Sequence, residues 1–254
     1  MTLPATFLAS PVAHRGLHDL STGRPENSVP AVCAAIEAGF GIEIDVQLTA
    51  DNRAVVFHDY DLARLTGGRG LVRERRASDL HTVPLSGGGG ATIPDLQEVL
   101  SIIAGRVPLL IEIKDQDGAL GPEVGALETA VAEALNDYTG PVAVMSYNPH
   151  SMAAMQTLAP DVPRGLVTEA FQRVDWDAPT ERLISLTNII DYERVGAAFI
   201  SHNKRDLHHP RVAELKSQGA SIFTWTIRSP EEERAARKVA QNITFEGYLP
   251  DAPS

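Results

Sequence analysis

Acidic residues stand where a strand ought to be apolar. Glu43 and Asp45 lie in Gly41-Ile42-Glu43-Ile44-Asp45-Val46, and Glu112 lies in Pro108-Leu109-Leu110-Ile111-Glu112-Ile113-Lys114. Side chains two apart on a strand share a face, so Glu43 joins Asp45, and Glu112 joins Lys114. Carboxylates that converge in an interior repel one another unless protons or a cation neutralise them. A divalent hard cation, Mg2+ or Ca2+, is the simplest neutraliser because it prefers oxygen ligands. Two plainer arrangements use the same residues: Glu43 and Asp45 facing solvent, or Glu112 paired with Lys114 alone.

Two histidines end β-type runs. His14 closes Pro11–His14 and precedes Arg15-Gly16; His58 closes Ala54–His58 and precedes Asp59. A pair of imidazoles beside a metal suits acid–base catalysis, one removing a proton while the other donates to a leaving group. Arg15 and Lys114 add fixed positive charge of the kind that holds phosphate oxygens.

The elements that must position these groups alternate between short apolar strands and longer amphipathic helices. Strands are expected at 11–14, 42–48, 107–113, 142–146, 164–167, 197–201, 222–227 and 245–249. Helical patterns lie around 28–38, 96–104, 123–138, 149–158, 182–195, 211–218 and 230–239. Eight parallel strands over this length fit a closed TIM-type (β/α)8 barrel better than an open sheet, and barrel sites lie at the carboxyl ends of the strands. One stretch breaks the alternation. The run 54–58 follows the second strand too closely for a crossover helix, so it should pair back as a β-hairpin. A turn centred on Asp51/Asn52 would set Asp45 opposite His58. Residues 59–92 read as a long Gly-rich loop or small insertion, and the runs Gly67-Gly68-Arg69-Gly70 and Gly87-Gly88-Gly89-Gly90 read as flexible loop, because neither has the context of a phosphate-binding loop. No linker is visible, so residues 1–254 are read as one domain.

The chain has 254 residues, with 22 Lys+Arg against 33 Asp+Glu and a formal charge of -11. That balance disfavours nucleic acid, whose binding needs a broad basic face. The lone Cys33 cannot form an internal disulfide and reads as a small buried hydrophobe. No apolar run suits a signal peptide or a membrane span, which points to the cytoplasm. His18, His81, His150, His208 and His209 read as surface residues, while His202 sits just beyond a strand. Asp175-Trp176-Asp177 reads as an exposed polar loop, or as a cap over the barrel mouth. Oligomeric state leaves no mark in the sequence.

The ordered blocks Ala13-His14-Arg15-Gly16, Pro25-Glu26-Asn27-Ser28, 42–49 and Val55-Val56-Phe57-His58-Asp59 resemble the N-terminal signature of the glycerophosphodiester phosphodiesterase family. Residues 93–100, 110–114, Ser146-Tyr147-Asn148 and Trp225-Thr226-Ile227 are similar to its later blocks. The resemblance spans about residues 12–250. It implies a TIM barrel, metal-dependent hydrolysis of glycerophosphodiesters to sn-glycerol 3-phosphate and an alcohol, and a small insertion after the hairpin. By motif position it makes Glu43, Asp45 and Glu112 metal ligands and His14 and His58 the acid–base pair. Arg15 and Lys114 would grip the phosphate, and Trp225 would form part of the glycerol pocket.

Three places depart from the family pattern: Arg228 where Asn or Asp is usual, Glu246-Gly247-Tyr248-Leu249-Pro250-Asp251 as the closing block, and the basic, polar Ser201-His202-Asn203-Lys204. These leave the leaving alcohol, and the roles of Arg228 and His202, open. A lysophospholipase D-like enzyme would want an apolar rim, whereas Arg69, Arg73, Arg75 and Arg76 make these loops polar. A non-catalytic anion-binding barrel would be expected to lack one of the two histidines.

Overall fold

The structure, a computed structural model, describes residues 2–174, 176 and 178–250. Its strands are β1 (Val12–Ala13), β2 (Gly41–Leu48), β3 (Ala54–Val56), β4 (Leu109–Ile113), β5 (Val142–Ser146), β6 (Arg164–Thr168), β7 (Phe199–Asn203), β8 (Ser221–Ile227) and β9 (Asn242–Phe245). All except β3 pair in parallel, and β1 bonds to both β9 and β2, which closes an eight-stranded barrel. The expected TIM barrel is therefore the observed one. Helices fill the crossovers. No helix among the described residues is long and apolar enough to cross a membrane.

Alternation along each strand divides the core in two. Outward residues such as Ile42, Ile44, Val46, Leu109, Ile111 and Ile113 pack under the helices. Inward residues Val12, Leu110, Ala143, Phe199 and Phe223 plug the barrel floor, together with Phe7 from the short helix Thr6–Ala9. The ring of Phe199 lies where a Cβ on Gly165 would be, which is why β6 carries glycine there. Local chemistry starts the helices. Ser28 caps Val29–Glu37 with Pro30 in the first turn, Asn148 caps Pro149–Leu158, and Ser229 caps Pro230–Ala236.

Three expectations need correction. The hairpin is shifted by one residue: Val46, Gln47 and Leu48 pair with Val56, Val55 and Ala54. Its turn centres on Asp51, because the Thr49 amide donates to the Arg53 carbonyl, Thr49 Oγ1 bonds Asp51 Oδ1 and Asn52 turns left-handed at φ 56. Asp45 consequently faces Phe57, whose amide donates to its carbonyl, and His58 follows one residue later at the barrel mouth.

The last strand ends at Phe245 instead of beginning there. Gly247 turns left-handed at φ 76, and buried Asn242 anchors the strand from below. Of the two readings of residues 59–92, the structure shows the small insertion. Two short helices, Ala63–Thr66 and Ala77–Leu80, close over Val55, Phe57, Leu62, Val72, Leu80, Leu85 and Ile93. Cys33 is half-buried, since the helix turns Ala31, Val32 and Ala35 inward instead. Asp175 and Asp177 lie outside the described residues.

Asn242 Nδ2 donates to both the Phe7 and Ser10 carbonyls at 2.7 Å and ties the N-terminal helix to the barrel floor. Asn242→Ala strands those two oxygens without a donor, at a cost of about 2–3 kcal/mol. The expected result is a fall in Tm on the order of 5–10 °C in calorimetry. An unchanged Tm would deny this anchor its role.

Candidate active site

The carboxyl ends of β2 and β4 set the acids side by side, because Asp45 pairs in register with Glu112. Glu43, Asp45 and Glu112 offer oxygens that all lie within 4.8 Å of one another. Glu43 and Asp45 are each 1% exposed, which removes the solvent-facing arrangement. Lys114 Nζ bonds Glu112 Oε1 at 2.5 Å and Asp45 Oδ1 at 2.7 Å, so it bridges two acids and does not serve Glu112 alone.

One oxygen remains unanswered. Glu43 Oε1 is buried without a hydrogen-bond partner, while Glu43 Oε2 accepts from the Arg15 amide at 2.8 Å. An orphaned carboxylate oxygen among three acids, with no nitrogen or sulfur donor in the set, fits a hard divalent cation.

The backbone of Ala13-His14-Arg15-Gly16 turns sharply to make that contact. Arg15 takes φ 56 and Gly16 φ 77, and a Cβ on Gly16 would sit 2.9 Å from the Ala31 carbonyl carbon. The facing corner is also left-handed: Asn27, at φ 56, gives its amide to the Arg15 carbonyl and its Nδ2 to Asp45 Oδ2 at 2.8 Å. Two strained corners thus lock Arg15 and Asp45 together. The Arg15 guanidinium reaches Glu26 at 2.5 Å and Asp45 at 3.4 Å.

Each histidine is held by a carboxylate. His14 Nδ1 meets Glu246 Oε2 at 2.5 Å, and His58 Nδ1 meets Asp59 Oδ1 at 2.6 Å. An ionised carboxylate only accepts, so Nδ1 carries the proton in both rings and Nε2 is left for chemistry. Both carboxylates have cationic support. Arg228 bonds Glu246 at 2.5 Å, and Arg64 bonds both Asp59 and Glu26.

These charges set the protonation of the site. Burial pushes the Glu43 carboxyl well above its usual range, with Asp45 and Glu112 adding to the effect. Burial also raises Glu112 against the pull of Lys114. For Asp45 burial is outweighed by Lys114, His58, Arg15 and His14, and the carboxyl is held low. Asp59 behaves likewise: burial is outweighed by Arg64 and His58, and it falls to about 2. Burial lowers both imidazoles, while the Glu246 bond resists this at His14 and Asp45 resists it at His58.

His14, Arg15, Glu43, His58, Glu112, Lys114 and Trp225 line one cavity of about 340 Å³. Seven of the eight singled-out residues thus share a wall, and Asp45 lies buried just behind them. Trp225 is fixed by its Nε1 bond to the Ser201 carbonyl at 2.9 Å. Arg228 is at the rim. His202 is not: its ring bonds Thr168 Oγ1 and the Asp206 carbonyl inside the wall, a structural role. His18, expected at the surface, is half-buried with Nε2 at 3.6 Å from Glu246.

Sequence reasoning missed the clamps. Glu246 was visible only as a departure in the closing block, and its partnership with His14 spans 232 positions. Arg64 carried no signal at all. Tyr147, which lines the cavity, stood inside a recognised block without an assigned role.

Three clustered carboxylates and two carboxylate-held imidazoles thus open at the carboxyl ends of the barrel strands, where barrel enzymes place their sites. Residues 14–244 match the model of the glycerophosphoryl diester phosphodiesterase family, and the chain belongs to that family of hydrolases. The family is generally dependent on a divalent metal.

Among its relatives, a glycerophosphodiester phosphodiesterase of Caldanaerobacter subterraneus subsp. tengcongensis is 26% identical over 95% of this chain and 93% of its own. Another, from Bacillus subtilis, is 26% identical over 86% of this chain and 76% of its own. In three dimensions the chain resembles an Oleispira antarctica phosphodiesterase solved in complex with the product sn-glycerol 3-phosphate. That likeness has a TM-score of 0.77 and 25% identity, and covers 96% of this chain and 94% of the other.

The Glu246 bond raises the His14 pKa against burial. Glu246→Gln removes that support, so the His14 imidazole should lose its proton at lower pH than in the parent chain. NMR titration of the ring reads the midpoint directly. A midpoint that stays in place or rises would contradict the clamp.

Proposed function

We propose that this chain hydrolyses glycerophosphodiesters to sn-glycerol 3-phosphate and an alcohol. The observation that carries the reading is the pair of carboxylate-held imidazoles opening with the acid cluster onto one cavity. Membership of the family and the product-bound Oleispira relative support the substrate class.

In this reading Glu43, Asp45 and Glu112 hold a divalent cation, Mg2+ or Ca2+, which when bound would polarise a phosphate oxygen as a Lewis acid. His14 Nε2 takes the proton of the attacking oxygen, from a glycerol hydroxyl or from water. His58 Nε2 protonates the departing alkoxide. Glu246 keeps His14 in the tautomer whose Nε2 can accept a proton and favours the imidazolium it becomes, while Asp59 and Asp45 favour the imidazolium form of His58, whose Nε2 proton is the one donated. Arg15 and Lys114 stabilise the charge that develops on the phosphate, and Trp225 walls the glycerol.

The same reading treats residues 1–254 as one phosphodiesterase barrel domain with 59–92 as its insertion. It places the protein in the cytoplasm, acting on a small molecule and not on nucleic acid. The net charge of -11 is compatible with an anionic substrate, because a single phosphodiester needs only a local cluster of cations.

Glycerophosphocholine, glycerophosphoethanolamine and a lysophospholipid assayed in parallel test the substrate class. Glycerol 3-phosphate is expected from the first two, with no choline released from the third. His14→Ala and His58→Ala should each lower kcat by about 10²-fold or more with circular dichroism unchanged. Near-parental turnover in both variants would refute the assignment. Chelation should abolish turnover, and Mg2+ or Ca2+ should restore it.

A further inference from the structure

A second cavity of about 550 Å³ adjoins the first across His58, Glu112, Lys114 and Tyr147, which line both. Its own walls come from the loop after the hairpin, with Tyr60 and Asp61, from the loop after β4, with Asp115 and Leu120, and from Trp176. The two lobes have opposite character. The catalytic lobe carries Lys204, Arg205 and Arg228 on the β7 and β8 side, across the barrel from the acids. The second lobe carries aromatic faces and the carboxylate of Asp61, whose Oδ1 accepts the Ala63 amide; Asp59 is paired with Arg64 and His58, and Asp115 is held by Asn148 Nδ2 and the Leu120 amide. The positive groups at this lobe are Lys114, already bridging Asp45 and Glu112, and Arg64, which bonds Asp59.

The aromatic surface is continuous. Tyr147 lies 5.1 Å from Trp176 and 5.9 Å from Trp225 between ring centroids, so it links the two lobes. Trp176 Nε1 is bonded to Glu169 Oε1 at 2.7 Å, which fixes the indole. Burial pushes the Tyr60 phenol up, with Asp115 and Asp117 adding to it and Lys114 opposing.

We propose that this lobe is the subsite for the leaving alcohol, and that it selects an alcohol bearing a small ammonium cation, such as choline. The inference rests on the phosphodiesterase reading and deepens it. With the phosphate at the acid cluster, the P–O bond that breaks extends past His58 into the second lobe, because His58 lines both cavities whereas His14 lines the first alone. The His58 proton goes to the departing oxygen, and water supplies the oxygen gained by the phosphate. An ammonium group is attracted by aromatic faces and by carboxylates together, and a desolvated cation–aromatic contact is a recognised source of selectivity. An uncharged alcohol gains neither attraction.

The test compares kcat/KM for glycerophosphocholine and glycerophosphoglycerol, whose leaving alcohol is uncharged, using the full chain with its divalent metal. A preference of about tenfold for the choline diester is expected. Asp61→Asn keeps the bond that Asp61 Oδ1 accepts from the Ala63 amide but removes the charge. It and Trp176→Ala should each lower the choline value several-fold, through KM, and leave the glycerol value nearly unchanged. Trp176→Phe should restore the preference.

Equal rates on both diesters, or variants that lower both equally, would overturn the proposal. Calorimetric titration of choline alone reads the subsite independently of turnover. Binding weakened by Asp61→Asn supports the proposal, and no binding up to tens of millimolar refutes it. Choline binding without glycerol 3-phosphate release from any diester would instead refute the phosphodiesterase reading.

Discussion

Three carboxylates confined inside a closed barrel form the constraint on which the rest of the site depends. Glu43, Asp45 and Glu112 cannot all ionise in a dry interior without compensation. The fold supplies part of it: Lys114 bridges two of them, Arg15 approaches Asp45, and the Arg15 and Asn27 corners donate to Glu43 and Asp45. The remainder shows as the orphaned Glu43 oxygen and the raised Glu43 carboxyl. Left-handed backbone at Arg15 and Asn27 serves the same requirement, because those turns bring the Arg15 amide onto Glu43 and the Asn27 side chain onto Asp45.

The histidines depend on a second layer of charge. Glu246 and Asp59 are each gripped by an arginine, so the rings are oriented by ion pairs anchored in separate parts of the chain. Arg64 comes from the folded insertion and also binds Glu26 beside Arg15. Residues 59–92 therefore do more than decorate the hairpin: their small apolar core holds the cation that orders one imidazole and one guanidinium.

Much of the site was legible because alternation is local. Spacing two apart put Glu43 with Asp45 and Glu112 with Lys114 on shared faces, though only burial showed those faces to be inward, and the strand-end positions of His14 and His58 followed from where barrels place their sites. The hairpin register was not legible, since it turned on whether one residue, Asn52, would go left-handed. The last strand was misplaced because Phe245 and Leu249 look equally β-like in sequence, whereas the buried amide of Asn242 and the turn at Gly247 decide where pairing stops.

Sequence by itself determined the barrel class, the acids that share strand faces, the two strand-end histidines and the local cations, because each follows from periodicity or from an ordered motif set. Only the tertiary structure decided which carboxylate holds which imidazole, that Lys114 bridges two acids, that His202 is sealed in the wall, and that the mouth divides into a basic and an acidic aromatic lobe. Those outcomes depend on distances between residues far apart in the chain, His14 and Glu246 being 232 positions apart. Such distances exist only once β1 and β9 have closed the barrel.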